Sequence, residues 1–281
     1  MSIEELSLEG AEHEELYKAP HDIEREAEVI DGHIPPPDPC ISFGTYQYRG
    51  LPEPIVFGSY GDITCLVGES KSMKSRLKSA IVACFIGDVK QRFSGWQSHK
   101  AKEKWCIELD TEQSEFHVAR MRENTREMGW AKSAQNYKTF RLRKYSPIER
   151  RKFLEYICLE SRYADNLGLV VVDGAADLVT DTNDLVESQK LVNLFMRITD
   201  ETNCHLLTIL HRTKSSKKPT GHIGSSILKK SETVLILDRT ENTVTVSADY
   251  TRGYPIDTFK FTLDSDFLPI SEDMNDNPFE D

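Results

Sequence analysis

The stretch Ile63-Thr-Cys-Leu-Val-Gly-Glu-Ser-Lys-Ser-Met-Lys-Ser-Arg76 constrains this chain more than any other. An apolar run through Val67 stops at Gly68, a short polar loop follows, and Lys74-Ser75 opens an amphipathic, helix-like segment through Phe85. Strand, loop and helix in that order, with a lysine and a hydroxyl at the turn into the helix, make a phosphate-binding loop of pattern G-x-x-x-x-G-K-[ST]. Its chemistry needs backbone N–H groups around phosphate oxygens, a helix N-terminus aimed at them, and an ammonium on the terminal phosphates. The expected nucleotide-binding set is therefore Gly68, Glu69, Ser70, Lys71, Ser72, Met73, Lys74, Ser75 and Arg76, with the Ser75 hydroxyl a ligand to Mg²⁺. Met73 departs from the pattern, because it stands where a second glycine is expected and removes backbone freedom there. A plain Gly-Ser-Lys turn before an ordinary helix is the competing reading, and the complete order of parts weighs against it.

Beyond the loop, apolar runs alternate with helical patterns, which predicts an α/β fold with a mainly parallel central sheet flanked by helices. Strands are expected at 104–109, 139–142, 167–172 and 205–210, and helices at 115–128, 147–163 and 184–201. A terminal group of strands is expected at 233–237, 244–248 and 258–263, and residues 41–60 read as a strand or edge lead-in.

Several of these strands end in groups that suit a nucleotide site, because the carboxyl ends of parallel strands line one crevice. Val170-Val-Val-Asp173 is an apolar strand ending in a carboxylate, suited to hold Mg²⁺ through water. Leu109-Asp-Thr-Glu-Gln113 places Glu112 just past another strand, where it can orient an attacking water as general base. The alternative for that run is a helix start, with Asp110 or Thr111 as the N-cap. Leu206-Leu-Thr-Ile-Leu-His211 ends a third strand in an imidazole that can sense a terminal phosphate. The basic run Arg212-Thr-Lys-Ser-Ser-Lys-Lys-Pro follows it, and Arg212, Lys214, Lys217 and Lys218 are the candidate contacts to DNA phosphates. Solvated charge is the plainer reading of such a run, and it has no interleaved aromatic on which bases would stack. Arg141, Arg143 and Lys144 are a second basic group that could take that role.

The net charge of −11 alone would argue against a nucleic-acid partner, but it is unevenly spread. Residues 1–40 carry 12 acidic and 2 basic side chains, and residues 264–281 carry 7 acidic and none basic. The middle, 41–263, holds 33 basic against 27 acidic, net +6, so it can approach a polyanion that the ends would repel. The expected organisation is an acidic arm and Pro-rich linker over 1–40, one core over 41–263, and an acidic tail over 264–281 too polar to join that core. Helices at 4–17 and 22–30 and docking of protein partners are the structured alternatives for the acidic arm. The six cysteines, Cys40, Cys65, Cys84, Cys106, Cys158 and Cys204, are scattered without a C-x-x-C pair and read as buried thiols in a reducing cytoplasm. No apolar run reaches membrane-spanning length, and the acidic start lacks a signal peptide's basic and apolar regions.

The order Gly68…Lys74-Ser75, Asp110-Thr-Glu112, Val172-Asp173, His211 and Gly224-Ser-Ser-Ile-Leu resembles the RecA-like ATPases. It is most similar to the RepA-type hexameric helicases and related AAA-labelled ATPases of plasmids and mobile elements. Lys71 fits the loop G-x-P-K-x-G-K-S frequent in that group, whereas Ser70 and Met73 depart from it. The resemblance covers about residues 55–263. It implies that Lys74 and Ser75 bind phosphate and Mg²⁺, Glu112 is the base, Asp173 the metal-binding acid and His211 the sensor. It also implies ATP as substrate, single-stranded DNA as partner and a homo-oligomeric ring of six, with an arginine supplied by the neighbouring subunit. Arg252 resembles that finger most, with Arg239 in reserve. A nucleotide-binding scaffold with weakened turnover and a small-molecule kinase are the other function classes weighed.

Overall fold

The computed structural model describes residues 19–27, 32–213 and 219–272. The chain divides into two compact units, Met1–Pro36 and Pro37–Asp281. In the first, a short helix α1 (Pro20–Glu26) carries its proline at the start, where the missing N–H costs nothing. It covers part of the helix expected over 22–30, and the one expected over 4–17 lies outside the described residues.

The second unit runs β1 (Pro39–Tyr48), β2 (Leu51–Ser59), β3 (Ile63–Gly68), α2 (Lys74–Ile86), β4 (Trp96–Ser98), β5 (Trp105–Asp110), α3 (Glu115–Met128) and β6 (Tyr137–Arg141). It continues with α4 (Pro147–Leu159), β7 (Leu167–Asp173), α5 (Leu185–Thr202), β8 (His205–His211) and α6 (Gly221–Lys230). Four more strands close it: β9 (Thr233–Thr240), β10 (Thr243–Thr251), β11 (Phe259–Leu263) and β12 (Pro269–Ser271). A nine-stranded sheet has the order β12-β11-β10-β9-β3-β8-β7-β5-β6, and a three-stranded sheet has the order β2-β1-β4. From β9 to β6 the large sheet is parallel, and β10, β11 and β12 extend it antiparallel. This is an α/β fold with a large, mixed, mostly parallel sheet flanked by helices, plus a small antiparallel sheet.

The strands read as continuous apolar runs because both faces of the sheet are covered. Along β7, Leu169 and Val171 join one core with α2 and the small sheet, while Val170 and Val172 join another with α4, α5 and α6. Local signals fix the helix starts. Ser146 accepts from the Glu149 N–H while Glu149 reaches back to the Ser146 N–H, with Pro147 in the first turn. Asp184 accepts from the Glu187 N–H at the head of α5, and Asn203 ends that helix in the left-handed region, φ 49°.

Three expectations are corrected. The segment after the loop is not amphipathic: α2 is buried from Leu77 through Phe85, because the large sheet, the small sheet and α3 enclose it. The lead-in at 41–60 is a full hairpin, β1 with β2, and β4 completes its sheet. The acidic tail does not leave the core at 264, since β12 pairs with β11 and Leu268 is buried. The six cysteines are free and buried, and burial pushes the Cys204 thiol up to about 12. Among the described residues no helix is long and apolar enough to cross a membrane.

Candidate functional site

The parallel register gathers the predicted groups along one edge of the sheet. Gly68 pairs with His211, Asp110 with Asp173, and Asp173 with Ile209. The ends of β3, β5, β7 and β8 therefore open on a common crevice, with the N-terminus of α2 beside it. Strands buried on both faces must end where the chain turns polar, and here they end together.

The loop from Gly68 to Lys74 is held tightly. A Cβ on Gly68 would lie 2.4 Å from Ser72 Oγ and 2.9 Å from the Leu237 carbonyl oxygen, so glycine is required by close approach. Met73 adopts φ 64° and ψ 25°, the left-handed conformation that glycine takes without penalty. The substitution therefore keeps the turn and carries a backbone cost of about 1–2 kcal/mol. Its side chain packs against the core around α2, which offsets part of that cost. Lys74 donates to the carbonyl oxygens of Gly68 at 2.8 Å and Glu69 at 2.6 Å, so its ammonium is curled into its own loop. Burial pulls it down to about 8, against the Glu112 and Asp173 carboxylates, which favour its charge. Ser75 lies in the first turn of α2, half-buried.

Asp110 shapes the turn that carries Glu112, the expected base. Its Oδ1 accepts from the Glu112 N–H at 3.1 Å and the Gln113 N–H at 2.7 Å, and Ser114, not Asp110 or Thr111, is the N-cap of α3. Thr111 Oγ1 donates to Asp177 Oδ2 at 2.7 Å and lies 2.9 Å from the Asp173 carbonyl oxygen, tying the end of β5 to that of β7. Glu112 is left facing His211, with Oε1 3.2 Å from Nε2. The imidazole hydrogen bond holds the Glu112 carboxyl below its ordinary range, although partial burial works the other way. The expected base and the expected sensor thus touch.

Asp173 is 7% exposed, and its Oδ2 lies 3.1 Å from Lys78 Nζ without forming a hydrogen bond of good geometry. Lys78 also pairs with Glu108, which accepts from the Tyr137 hydroxyl. Burial opposes the charge on Lys78, but Glu108 and Asp173, with Asp110 behind them, more than offset it and hold the lysine protonated. The sequence reading missed this buried group. A lysine among Leu77, Ala80 and Ile81 within an apolar helix was the available signal.

Among the described residues no group of three or more His, Cys, Asp or Glu side chains forms a metal cage. Mg²⁺ does not need one, since it is commonly held by one or two carboxylates, waters and substrate phosphates. The Asp173 carboxylate at the end of β7 and the Ser75 hydroxyl beside Lys74 fit that mode.

The candidate arginines lie at different ends of the sheet. Arg252 forms an ion pair with Asp62, Nη1 to Oδ1 3.0 Å and to Oδ2 3.2 Å, just before β3 begins. That is the amino end of the sheet, away from its own loop. Arg239 donates from Nη1 to the Lys71 carbonyl at 3.3 Å, directly at the loop. Arg212, expected to face DNA, is largely covered: it pairs with Asp238, and its N–H donates to the Gly68 carbonyl at 3.1 Å. Lys214, Lys217 and Lys218 lie outside the described residues. Arg76 lines a cavity of about 330 Å³ with Gln113, His117, Arg120 and Asn124, and burial and Arg120 lower its pKa. Along the edge strand β6, a groove of about 540 Å³ gathers Arg122, Lys138, Arg141 and Arg162 with Glu115, Phe140 and Tyr163, and Arg141 lies 3.9 Å from Glu115.

No protein-family model matches this chain, and a search of curated proteins finds no match that would mark a relative, so its own geometry carries the functional argument.

Proposed function

We propose that this chain is a RecA-like P-loop ATPase that binds ATP with Mg²⁺ in the crevice at the carboxyl ends of β3, β5, β7 and β8, and acts on DNA as a helicase or mobile-element replication ATPase. One observation carries the reading: Lys74, Asp173, Glu112 and His211 converge from four separate segments on the mouth of one glycine-anchored loop. Lys74 would exchange its bonds to the loop carbonyls for the terminal phosphates, with the N–H groups at the head of α2 on the oxygens behind. Ser75 and Asp173 would hold Mg²⁺, which when bound neutralises charge on those phosphates. Glu112 would take a proton from the attacking water, while His211 fixes its carboxylate and feels the terminal phosphate. The cavity beside Arg76 offers space for the rest of the nucleotide. The groove along β6, with four cations against one carboxylate, is better suited to single-stranded DNA than Arg212, which is paired with Asp238 and largely covered.

A second reading, a nucleotide-binding oligomeric scaffold with little turnover, is favoured by Met73 and by the Lys74 ammonium curled into its loop. ATP turnover with and without single-stranded DNA separates the two. Lys74→Ala should abolish nucleotide binding or turnover, and full affinity and turnover in that variant would remove the loop assignment.

A further inference from the structure

Lys78 belongs to no phosphate-loop pattern, yet among the described residues it is more deeply buried than Lys74 itself. It sits one turn beyond Lys74 on α2, 1% exposed, paired with Glu108 of β5 and 3.1 Å from Asp173 Oδ2 of β7. Glu108 is held in turn by the Tyr137 hydroxyl on β6. Packing alone does not call for this arrangement, because a buried ion pair is commonly matched in stability by apolar side chains of similar volume. The neighbours Leu77, Ala80 and Ile81 show that α2 fills the same core with apolar groups on either side.

We propose that Lys78 is a positioning residue for the nucleotide site, holding the Asp173 carboxylate by Oδ2 and acting as a built-in countercharge that makes nucleotide binding only weakly dependent on Mg²⁺. The proposal rests on the nucleotide-binding reading above. Glu108, Asp110 and Asp173 bring three carboxylates toward the place where a polyanion would bind. Without Lys78, their repulsion of the phosphates would be relieved only once a divalent cation was loaded. With it, part of that charge is offset permanently, and Oδ1 of Asp173 remains for a metal-bound water. Metal would then matter more for turnover than for affinity.

The test is ADP binding to the full chain, measured by calorimetry with Mg²⁺ and again with EDTA, and expressed as the ratio of the two Kd values. Lys78→Met alone leaves Glu108 buried and unpaired, so the comparison is between Glu108→Gln and Lys78→Met/Glu108→Gln, with a melting curve for each. The ratio should rise by about tenfold or more from Glu108→Gln, where Lys78 offsets one of the two remaining carboxylates, to the double variant, where both stand without a countercharge. Equal ratios in those two variants overturn the assignment and leave Lys78 a core ion pair. So does a wild-type chain that loses ADP on addition of EDTA, a result that needs no variant to fold. A wild-type chain that binds no ADP under either condition overturns the phosphate-loop reading, and this proposal falls with it.

Discussion

His205 illustrates how much one buried side chain can impose on this protein. It is fully buried, with Nδ1 2.8 Å from the Ser59 carbonyl oxygen and Nε2 2.9 Å from Thr64 Oγ1. A carbonyl only accepts, so Nδ1 carries the proton and Nε2 accepts from threonine, which is the neutral tautomer. Gly58 makes the space, since a Cβ there would lie 2.3 Å from the ring. Burial lowers the His205 pKa from its ordinary 6.5 to about 4. The unfolded chain therefore binds a proton that the folded chain refuses, so stability from this residue is complete above about pH 6.5 and is lost as pH falls toward about 4. The loss should reach about 3 kcal/mol. Glu232, raised by burial, works in the opposite sense, so a variant must isolate the effect. Denaturant midpoints against pH should fall more steeply for the wild type than for His205→Gln, and parallel curves would count against the argument. In the sequence, His205 is one polar letter ahead of an apolar run, and nothing local says that it is sealed. Met73 gives the opposite lesson. Its place in the loop pattern is plain, but its left-handed backbone became visible only once the loop was closed.

The candidate groups sit at strand ends, which bring together residues that lie far apart in sequence. Glu112 follows β5 and His211 ends β8, yet they meet at 3.2 Å because β7 lies between those strands in register. Glu112→Gln should keep nucleotide binding and lower turnover by roughly two orders of magnitude, the scale of a lost general base. His211→Ala should lower it too, and the two changes together should cost less than the product of their separate effects, because they break one contact. Strictly multiplicative losses in steady-state assays would show that the residues act apart. The bounds of α3 follow the expected 115–128, since Ser114 and the Gly129 stop are local signals. The small sheet was harder to read. β4 has three residues, and β1 mixes buried and exposed positions without strict alternation, being bent by bulges against β2. β12 was hidden by its acidic surroundings and its length of three residues, of which Ile270 is the one large aliphatic side chain.

The molecule as a whole sets its loop and its candidate finger at opposite ends of one sheet. Arg252 is anchored by Asp62 at the start of β3, and Gly68 ends that strand. At about 3.3 Å per residue, the six residues of β3 put roughly 20 Å between them. Arg252 can therefore serve a phosphate only on a neighbouring subunit, whereas Arg239 already lies against its own loop. An arginine on the transition-state charge can be worth roughly 10³-fold in turnover. In a homo-oligomer, mixing Lys74→Ala with Arg252→Ala subunits should restore activity at interfaces that pair an intact loop with an intact finger. Mixing Lys74→Ala with Arg239→Ala should restore none, because both groups serve one chain's site. The reverse pattern, measured on co-assembled subunits, would exchange the two roles.

The sequence alone was sufficient for the α/β class, the phosphate-loop pattern, the carboxylate-ended strands and the buried thiols, because each is written in a local run whose period or spacing has a direct physical cause. The order of the nine strands, the sealing of α2, the Lys78–Glu108–Asp173 group and the positions of Arg212, Arg239 and Arg252 came only with the folded chain. Those features depend on which surfaces meet across long sequence separations. A charge on an apolar helix reads the same whether it faces water or a buried carboxylate, and packing alone decides between them.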